Sequence, residues 1–220
     1  MRILSITLAL IFAVGLVSAQ NEIVSMSEKA FDYKDWVYKN VDTGKDVNLR
    51  KFVNGKKLVI VVYWAPWCHN WEYDVEYVQS LYEKYKGSGL DIIGVAEYDP
   101  VDKMKDHIKK HSVTFTNVYE STSTVEREKT THFMQRREAG DTRKWGSPWY
   151  VFLDPKTFES EGQAIISKKT SVVNGELKRD EVEKYIRQRL GLDGTTAGTA
   201  AAKKEIEVCE PNKSAGLLKP

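Results

Sequence analysis

The segment between a very apolar run and a predicted helix has the sequence Trp64-Ala65-Pro66-Trp67-Cys68-His69-Asn70-Trp71. The apolar run, residues 58–63, is rich in β-branched side chains and predicts a buried strand. Acidic and aromatic residues over 72–85 predict a helix. A cysteine at such a helix start lies near unpaired amide N–H groups and the positive end of the helix dipole, which favour an anion. We therefore predict that Cys68 reacts as a thiolate.

The elements around this segment predict one α/β domain with extensions. A strand over 57–64, a helix over 70–86 and a strand over 90–96 form a right-handed βαβ unit with parallel strands. Before this unit, a β-hairpin is predicted within 31–47, with its turn at Asp42-Thr43-Gly44-Lys45. After it come a helix over 101–111, an extended segment over 113–119 and a strand over 150–155. The hairpin partner of that strand is predicted over 164–173 with a turn at Asn174-Gly175, and a closing helix over 180–190 is capped at Gly191.

Two motifs carry a resemblance to a known family. Trp64-Ala65-Pro66-Trp67-Cys68 resembles the W-A-x-W-C that opens the active site of thioredoxin-like proteins, above all the exported TlpA/ResA-type thiol–disulfide oxidoreductases and their alkyl hydroperoxide reductase/thiol-specific antioxidant relatives. Trp145-Gly146-Ser147-Pro148-Trp149 is similar to the family's x-Pro before an apolar strand. The resemblance implies a thioredoxin-like fold over residues 28–192, with a central mixed β-sheet flanked by helices and an N-terminal β-hairpin extension. It also implies that Pro148 is cis and faces the active-site cysteine.

The chain departs from the family at the second cysteine of C-x-x-C, because that position is Trp71. A tryptophan cannot resolve a mixed disulfide, so turnover requires another thiol. Cys209 could supply it from a predicted flexible tail over residues 193–220, whose reach is about 20–25 Å. The competing interpretations of Cys209 are a stray thiol and a tether to another protein.

Two neighbours of Cys68 could take part in its chemistry. A protonated His69 would stabilise the thiolate, and the alternative is a solvent-facing residue at the helix start. Asp74 lies where some ResA-like proteins carry an acidic residue thought to move protons, and its alternative is an exposed helix carboxylate. We predict Cys68 and His69 as catalytic residues and keep Asp74 as a candidate for proton transfer.

Three functions fit these residues. The first is monothiol disulfide exchange or thiol-dependent reduction through Cys68, with a protein or small thiol or disulfide as substrate and an external electron donor. The second is a non-catalytic peptide-binding module. The third is a thiol peroxidase, although a peroxiredoxin would have Thr or Ser where this chain has Ala65. The predicted substrate groove consists of Trp67, Trp71, Ser147, Pro148 and Trp149.

Neither a cofactor nor a metal is expected. His107 and His111 stand at i, i+4 on a predicted helix, which permits a shared ligand face. No cysteine or carboxylate pattern nearby completes a site, so a solvated helix is the favoured interpretation. The polar segment over residues 121–144 has interleaved charges and likewise predicts a solvated helix and loop rather than an anion-binding patch.

Residues 1–19 predict a secretory signal peptide. Arg2 is followed by an apolar run over 6–17 and by small residues before Gln20. The run is shorter than the about 20 residues that span a membrane, which favours cleavage over anchoring. We expect a periplasmic or extracellular protein with a flexible lead-in over 20–27 and no stable membrane span after cleavage. A net charge of +2 in 220 residues does not indicate nucleic-acid binding.

Overall fold

The structure is a computed structural model that describes residues 22–159, 161–166 and 169–193. The predicted signal peptide, the start of the lead-in, Cys209 and the tail from residue 194 lie outside the described residues. The strands in the described part of the chain are β1 (Ile23–Val24), β2 (Ser27–Ala30), β3 (Tyr33–Lys34), β4 (Val37–Asn40), β5 (Asp46–Asn48), β6 (Leu58–Trp64), β7 (Leu90–Ala96), β8 (Thr116–Tyr119), β9 (Trp149–Leu153), β10 (Ala164–Ile166), β11 (Lys169–Val173) and β12 (Glu176–Leu177). The helices are α1 (Leu49–Phe52), α2 (His69–Tyr85), α3 (Val101–Lys110), α4 (Thr131–Glu138) and α5 (Arg179–Leu190).

A mixed eight-stranded sheet forms the centre of the molecule, in the order β2-β11-β9-β6-β7-β8-β4-β5. Strand β6 pairs in parallel with β7 and antiparallel with β9. All seven residues of β6 are buried, because both faces of the sheet are covered. The mixed sheet, its flanking helices and the β6-α2-β7 unit confirm the predicted fold class.

The two faces of the sheet pack against different parts of the chain. One face packs against α2, α3 and α5 through buried side chains such as Val75, Met104 and Ile186. The other face packs against the N-terminal segment and α1, where Tyr33 and Leu49 are buried. Among the described residues, no helix is long and apolar enough to cross a membrane.

The predicted N-terminal hairpin is confirmed as the β4–β5 pair, which joins the edge of the sheet at β8. The predicted flexible lead-in is wrong for residues 22–27. Strand β1 pairs in parallel with β12, and Val24 and Met26 pack against the core. The local sequence is polar, but Val24 and Met26 have apolar partners elsewhere in the chain, and these contacts keep the segment ordered against the domain.

The predicted hairpin partner over 164–173 is two strands rather than one. Strand β10 pairs antiparallel with β3, whereas β11 pairs with both β9 and β2. The N-terminal segment supplies a separate partner for each half, and the chain changes neighbour between them. The closing helix α5 ends at Gly191, whose left-handed φ of 74° confirms the predicted cap.

Candidate active site

Cys68 lies where β6 passes into α2. It is the N-cap residue of α2, with extended backbone angles of φ −82° and ψ 115°. The backbone N–H of Cys68 donates to the Ala65 carbonyl at 3.0 Å, and the Glu72 N–H donates to the Cys68 carbonyl at 3.0 Å. This turn leaves the half-buried thiol at the positive end of a helix of 17 residues.

The loop before β9 faces the thiol, as the resemblance implied. The Cys68 Sγ donates to the Ser147 carbonyl at 3.2 Å. The Ala65 N–H donates to the Ser147 Oγ at 3.2 Å, which ties the two motifs together a second time. The Ser147–Pro148 peptide bond is cis, and both residues are buried.

Arg143 is a site residue that the sequence did not reveal. Its guanidinium donates to the carbonyls of Ser147 at 3.4 Å and Pro148 at 2.8 Å, and it pairs with Asp141 at 2.8 Å. The Cys68 thiol and the Arg143 guanidinium therefore share one acceptor, the Ser147 carbonyl. Arg143 therefore holds in place the carbonyl to which the Cys68 thiol donates.

The same loop is held from inside by Arg136, whose side chain is fully buried. It donates to the carbonyls of Arg143 at 2.8 Å and Lys144 at 3.2 Å, and lies 3.6 Å from the Asp141 carboxylate. The predicted solvated helix and loop is thus wrong for this part of residues 121–144. A buried arginine can satisfy several loop carbonyls at once, because it has five N–H donors.

Asp74, on the same helix as the thiol, is fully buried, so its alternative as an exposed carboxylate is wrong. Its Oδ2 accepts from the Tyr150 hydroxyl at 2.7 Å and from the Leu177 N–H at 2.8 Å. Burial raises the pKa of Asp74 to about 6, although both hydrogen bonds oppose the shift.

Tyr150 and Glu176 extend this acidic group, and neither was identified from the sequence. Burial and the Asp74 charge raise the pKa of Glu176. Burial raises the pKa of Tyr150, and the negative charges of Asp74 and of Cys68 raise it further. Three buried titratable groups therefore interact around Asp74, and Tyr150 among them also interacts with Cys68.

His69 and Trp67 are the exposed members of the predicted site. His69 is the first residue of α2, and no hydrogen bond in the described structure joins its ring to Cys68. Trp67 is 43% exposed and meets Trp145 edge-on, with ring centroids 5.0 Å apart. The exposed Trp67 and the partly buried Trp145 form an aromatic surface next to Cys68.

Trp71 and Trp149 do not line a groove, because both are buried. Trp71 lies on the face of α2 that packs on the sheet, and it stacks on Trp64 with centroids 5.7 Å apart. Trp149 begins β9 and packs against Tyr63 at 5.1 Å. The predicted substrate role of these two residues is wrong, and both serve the core.

His107 and His111 are not on a solvated face, so that expectation is also wrong. Their side chains are 5% and 6% exposed, and Glu72 from the first turn of α2 lies against both. Burial lowers the pKa of His107 to about 4. These are the described residues that could hold a metal ion, since their ligand atoms lie within 4.8 Å of one another.

A thiol at a helix start after a buried strand, facing a cis-proline loop, defines a thioredoxin-like protein with one cysteine at its described site. The model of the AhpC/TSA family matches residues 28–156, more than half of the chain. The chain belongs to the AhpC/TSA family.

Curated relatives match over a shorter stretch. The thiol–disulfide oxidoreductase ResA of Bacillus thuringiensis subsp. konkukian (strain 97-27) is 31% identical over 72 residues, which is 33% of this chain and 40% of ResA. A ResA of Bacillus cereus is 32% identical over 72 residues, with the same coverage. The chain thus matches about two fifths of the length of these relatives.

Solved structures share the fold. The chain superposes on dsbF of MTB with a TM-score of 0.51 and 22% identity, covering 70% of this chain and 94% of dsbF. A thiol:disulfide interchange protein of the thioredoxin family from Chlorobium tepidum TLS gives a TM-score of 0.52 at 15% identity, covering 74% and 98% of the two chains. The thioredoxin-like fold expected from the two motifs is confirmed.

Proposed function

We propose that this chain is an exported thiol–disulfide oxidoreductase that works through a single active-site thiol, Cys68. The observation that carries the proposal is the placement of the Cys68 Sγ at the start of α2, 3.2 Å from a carbonyl that also accepts from Arg143. The positive end of the α2 dipole lies at this position, and Arg143 fixes the loop that faces the thiol. The ResA relatives are named for this chemistry, and the predicted signal peptide supports export.

The reaction begins with attack of the Cys68 thiolate on one sulfur of a substrate disulfide. A bond forms between Cys68 and that sulfur, and the other substrate sulfur leaves as a thiolate. A second thiol, from an external donor or from Cys209, then attacks the Cys68 sulfur of the mixed disulfide, so that the second substrate sulfur leaves as a thiolate and Cys68 forms a disulfide with the attacking thiol. A further thiol of the external donor attacks that disulfide and frees the Cys68 thiolate. The substrate gains two electrons, and the thiols that supplied them end as a disulfide.

Proton exchange during these steps is assigned to Asp74 and Tyr150. Support for this role comes from the 2.7 Å hydrogen bond between them and from a pKa of Asp74 of about 6. A carboxyl with a pKa close to neutrality can both take up and release a proton at physiological pH. We assign His69, which is exposed, to electrostatic support of the thiolate.

A non-catalytic peptide-binding module remains the second candidate, and the aromatic surface next to Cys68 supports it. Trp67 and Trp145 meet at 5.0 Å, and the Arg127 guanidinium lies 4.9 Å from the Trp145 ring centre. Surface aromatic side chains backed by a cation suit an extended peptide. In the first candidate function the same surface would hold the substrate next to Cys68.

One experiment separates the two candidates. A peptide carrying one cysteine as its glutathione mixed disulfide is incubated with the full chain, with Cys68→Ser and with Trp67→Ala. With the full chain we expect glutathione release and a covalent adduct between the peptide and Cys68. Cys68→Ser should form no adduct at this position, and Trp67→Ala should form the adduct more slowly. Equal peptide retention by the full chain and Cys68→Ser, without any adduct at Cys68, would establish the binding module instead.

A further inference from the structure

We propose that Glu72, His107 and His111 form a binding site for one Zn²⁺ ion. The two histidines stand one helical turn apart at the end of α3, and their ring centroids are 4.5 Å apart. Glu72 comes from the first turn of α2, so the three residues join two helices that are separate in sequence. Two histidines and one carboxylate form a ligand set that Zn²⁺ commonly uses.

The distances suit a tetrahedral ion. The Glu72 Oε2 is 3.1 Å from the His111 Nε2 and 3.8 Å from the His107 Nδ1. Bonds of about 2.0–2.1 Å around a tetrahedral zinc place the ligand atoms roughly 3.3–3.4 Å from one another. The two distances from Glu72 bracket that value, and all three ligand atoms lie within 4.8 Å of one another, so side-chain rotations would bring them into coordination.

The surroundings of His107 point to a missing ligand. Its side chain is 5% exposed, yet no described hydrogen bond reaches either ring nitrogen. Nδ1 is too far from Glu72 for a hydrogen bond, and the buried Nε2 has no partner among the described residues. Buried polar groups without a partner are rare because leaving them unpaired is costly. A metal ion would bond to Nδ1, which lies 3.8 Å from the Glu72 Oε2, and Nε2 would keep no partner among the described residues.

Lys110 does not block the site. Its ammonium donates to the Glu72 Oε1, which leaves Oε2 turned toward the two imidazoles. The Lys110 side chain is largely exposed, so its charge is screened by solvent. Glu72 is 36% exposed, and this open side leaves a fourth coordination position for water.

Binding at this site would fasten α3 to the turn of α2 that follows the thiol. The Glu72 N–H donates to the Cys68 carbonyl, so Glu72 is attached to the same turn that positions Cys68. The two histidines could be identified from their spacing in the sequence. The carboxylate could not, because it comes from another helix 35 positions earlier in the chain than His107.

The test is metal binding to the full chain, first freed of metal by a chelator. Zn²⁺ binding is measured by calorimetry, and Co²⁺ is used as a coloured probe of tetrahedral geometry. Both are repeated in a full chain with Cys68→Ser and Cys209→Ser, so that thiolate ligands cannot contribute. We expect one ion per chain in both proteins, with tetrahedral Co²⁺ absorption and no sulfur-to-cobalt band.

Glu72→Gln and His111→Gln are expected to weaken Zn²⁺ binding by about 100-fold or more, since loss of a ligand should exceed the 10–100-fold effect of losing an outer partner. His69→Gln removes an exposed histidine from the start of the same α2 helix and should leave the affinity unchanged. Circular dichroism checks the fold of each variant, and the partly exposed Glu72 is the position that tolerates substitution best. Absence of binding to the thiol-free chain, or equal binding by Glu72→Gln and His69→Gln, would overturn the proposal.

Discussion

At the scale of single residues, burial decides the chemistry of Asp74. The carboxyl has no exposed surface and accepts hydrogen bonds from Tyr150 and Leu177. Its pKa is raised from 3.8 to about 6. The folded chain therefore holds a proton that the unfolded chain releases between these two pH values. Ionised Asp74 costs stability, and the cost appears as pH rises from about 4 through 6.

We predict that Asp74→Asn removes this cost. The amide keeps an acceptor for Tyr150 and Leu177 but cannot ionise. Relative to the wild-type chain, the free energy of unfolding of the variant should rise by up to about 3 kcal/mol between pH 4 and pH 7. Urea unfolding at several pH values measures the difference. Glu76→Gln, on the exposed side of the same helix, is the control and should keep the wild-type slope; a parallel profile for Asp74→Asn would contradict the assignment.

The sequence identified some site residues and missed others for a physical reason. Cys68, Ser147 and Pro148 lie in short motifs, and a motif is local information. Tyr150 and Glu176 matter because they lie against Asp74, which is far away in the chain. Arg143 contacts residues close to it in sequence, but no motif marks it. Trp71 and Trp149 show the converse, since each lies in a motif but its side chain turns into the core.

At the scale of elements, the loop between α4 and β9 depends on one buried side chain. Gly146 has a φ of +64°, and a Cβ there would lie 2.4 Å from the Cδ and Nε of Arg136. Arg136 cannot move aside cheaply, because it is fully buried and bonded to the loop carbonyls. The position of Ser147, and so of the carbonyl that faces Cys68, follows from this packing.

We predict that Gly146→Ala destabilises the protein more than Gly44→Ala does. Gly44 has a similar φ of +68° but nothing within 4 Å of an added Cβ. In both variants the left-handed backbone should lower the free energy of unfolding by about 1–2 kcal/mol. In Gly146→Ala the overlap with Arg136 should lower it by about 1–3 kcal/mol more. Urea unfolding measures both. A slower reaction of Cys68 with a disulfide reagent is expected for Gly146→Ala alone, and equal losses in the two variants would refute the role of Arg136.

Most elements could be predicted because their signals are local. The continuous apolar run predicts β6, and the glycine at position 191 predicts the end of α5; each signal lies within a few residues of the element that it predicts. The failures lie where distant segments pair: residues 23–24 form a strand against β12, and residues 164–173 divide between two partners. Pairing of this kind is not encoded in the local pattern of either segment.

At the scale of the whole molecule, Cys68 is the free cysteine of the described residues, and Trp71 occupies the position of a resolving partner. Trp71 packs against Trp64 and His107, so a core side chain stands where C-x-x-C proteins have their second thiol. In the proposed reaction, Cys68 forms a mixed disulfide that no thiol in the described part of the chain can release. Completion of the reaction must depend on the tail or on another molecule.

The most direct measurement uses the full chain with Cys209→Ser and a small amount of an aromatic disulfide reagent whose thiolate is coloured. We predict fast release of one thiolate per reagent molecule, faster from the folded chain than from the chain unfolded in urea. We also predict a mixed disulfide on Cys68 that persists until a thiol is added, with earlier release in the wild-type chain if Cys209 resolves it. A folded chain that reacts no faster than the unfolded one would contradict the claim that Cys68 is an activated nucleophile.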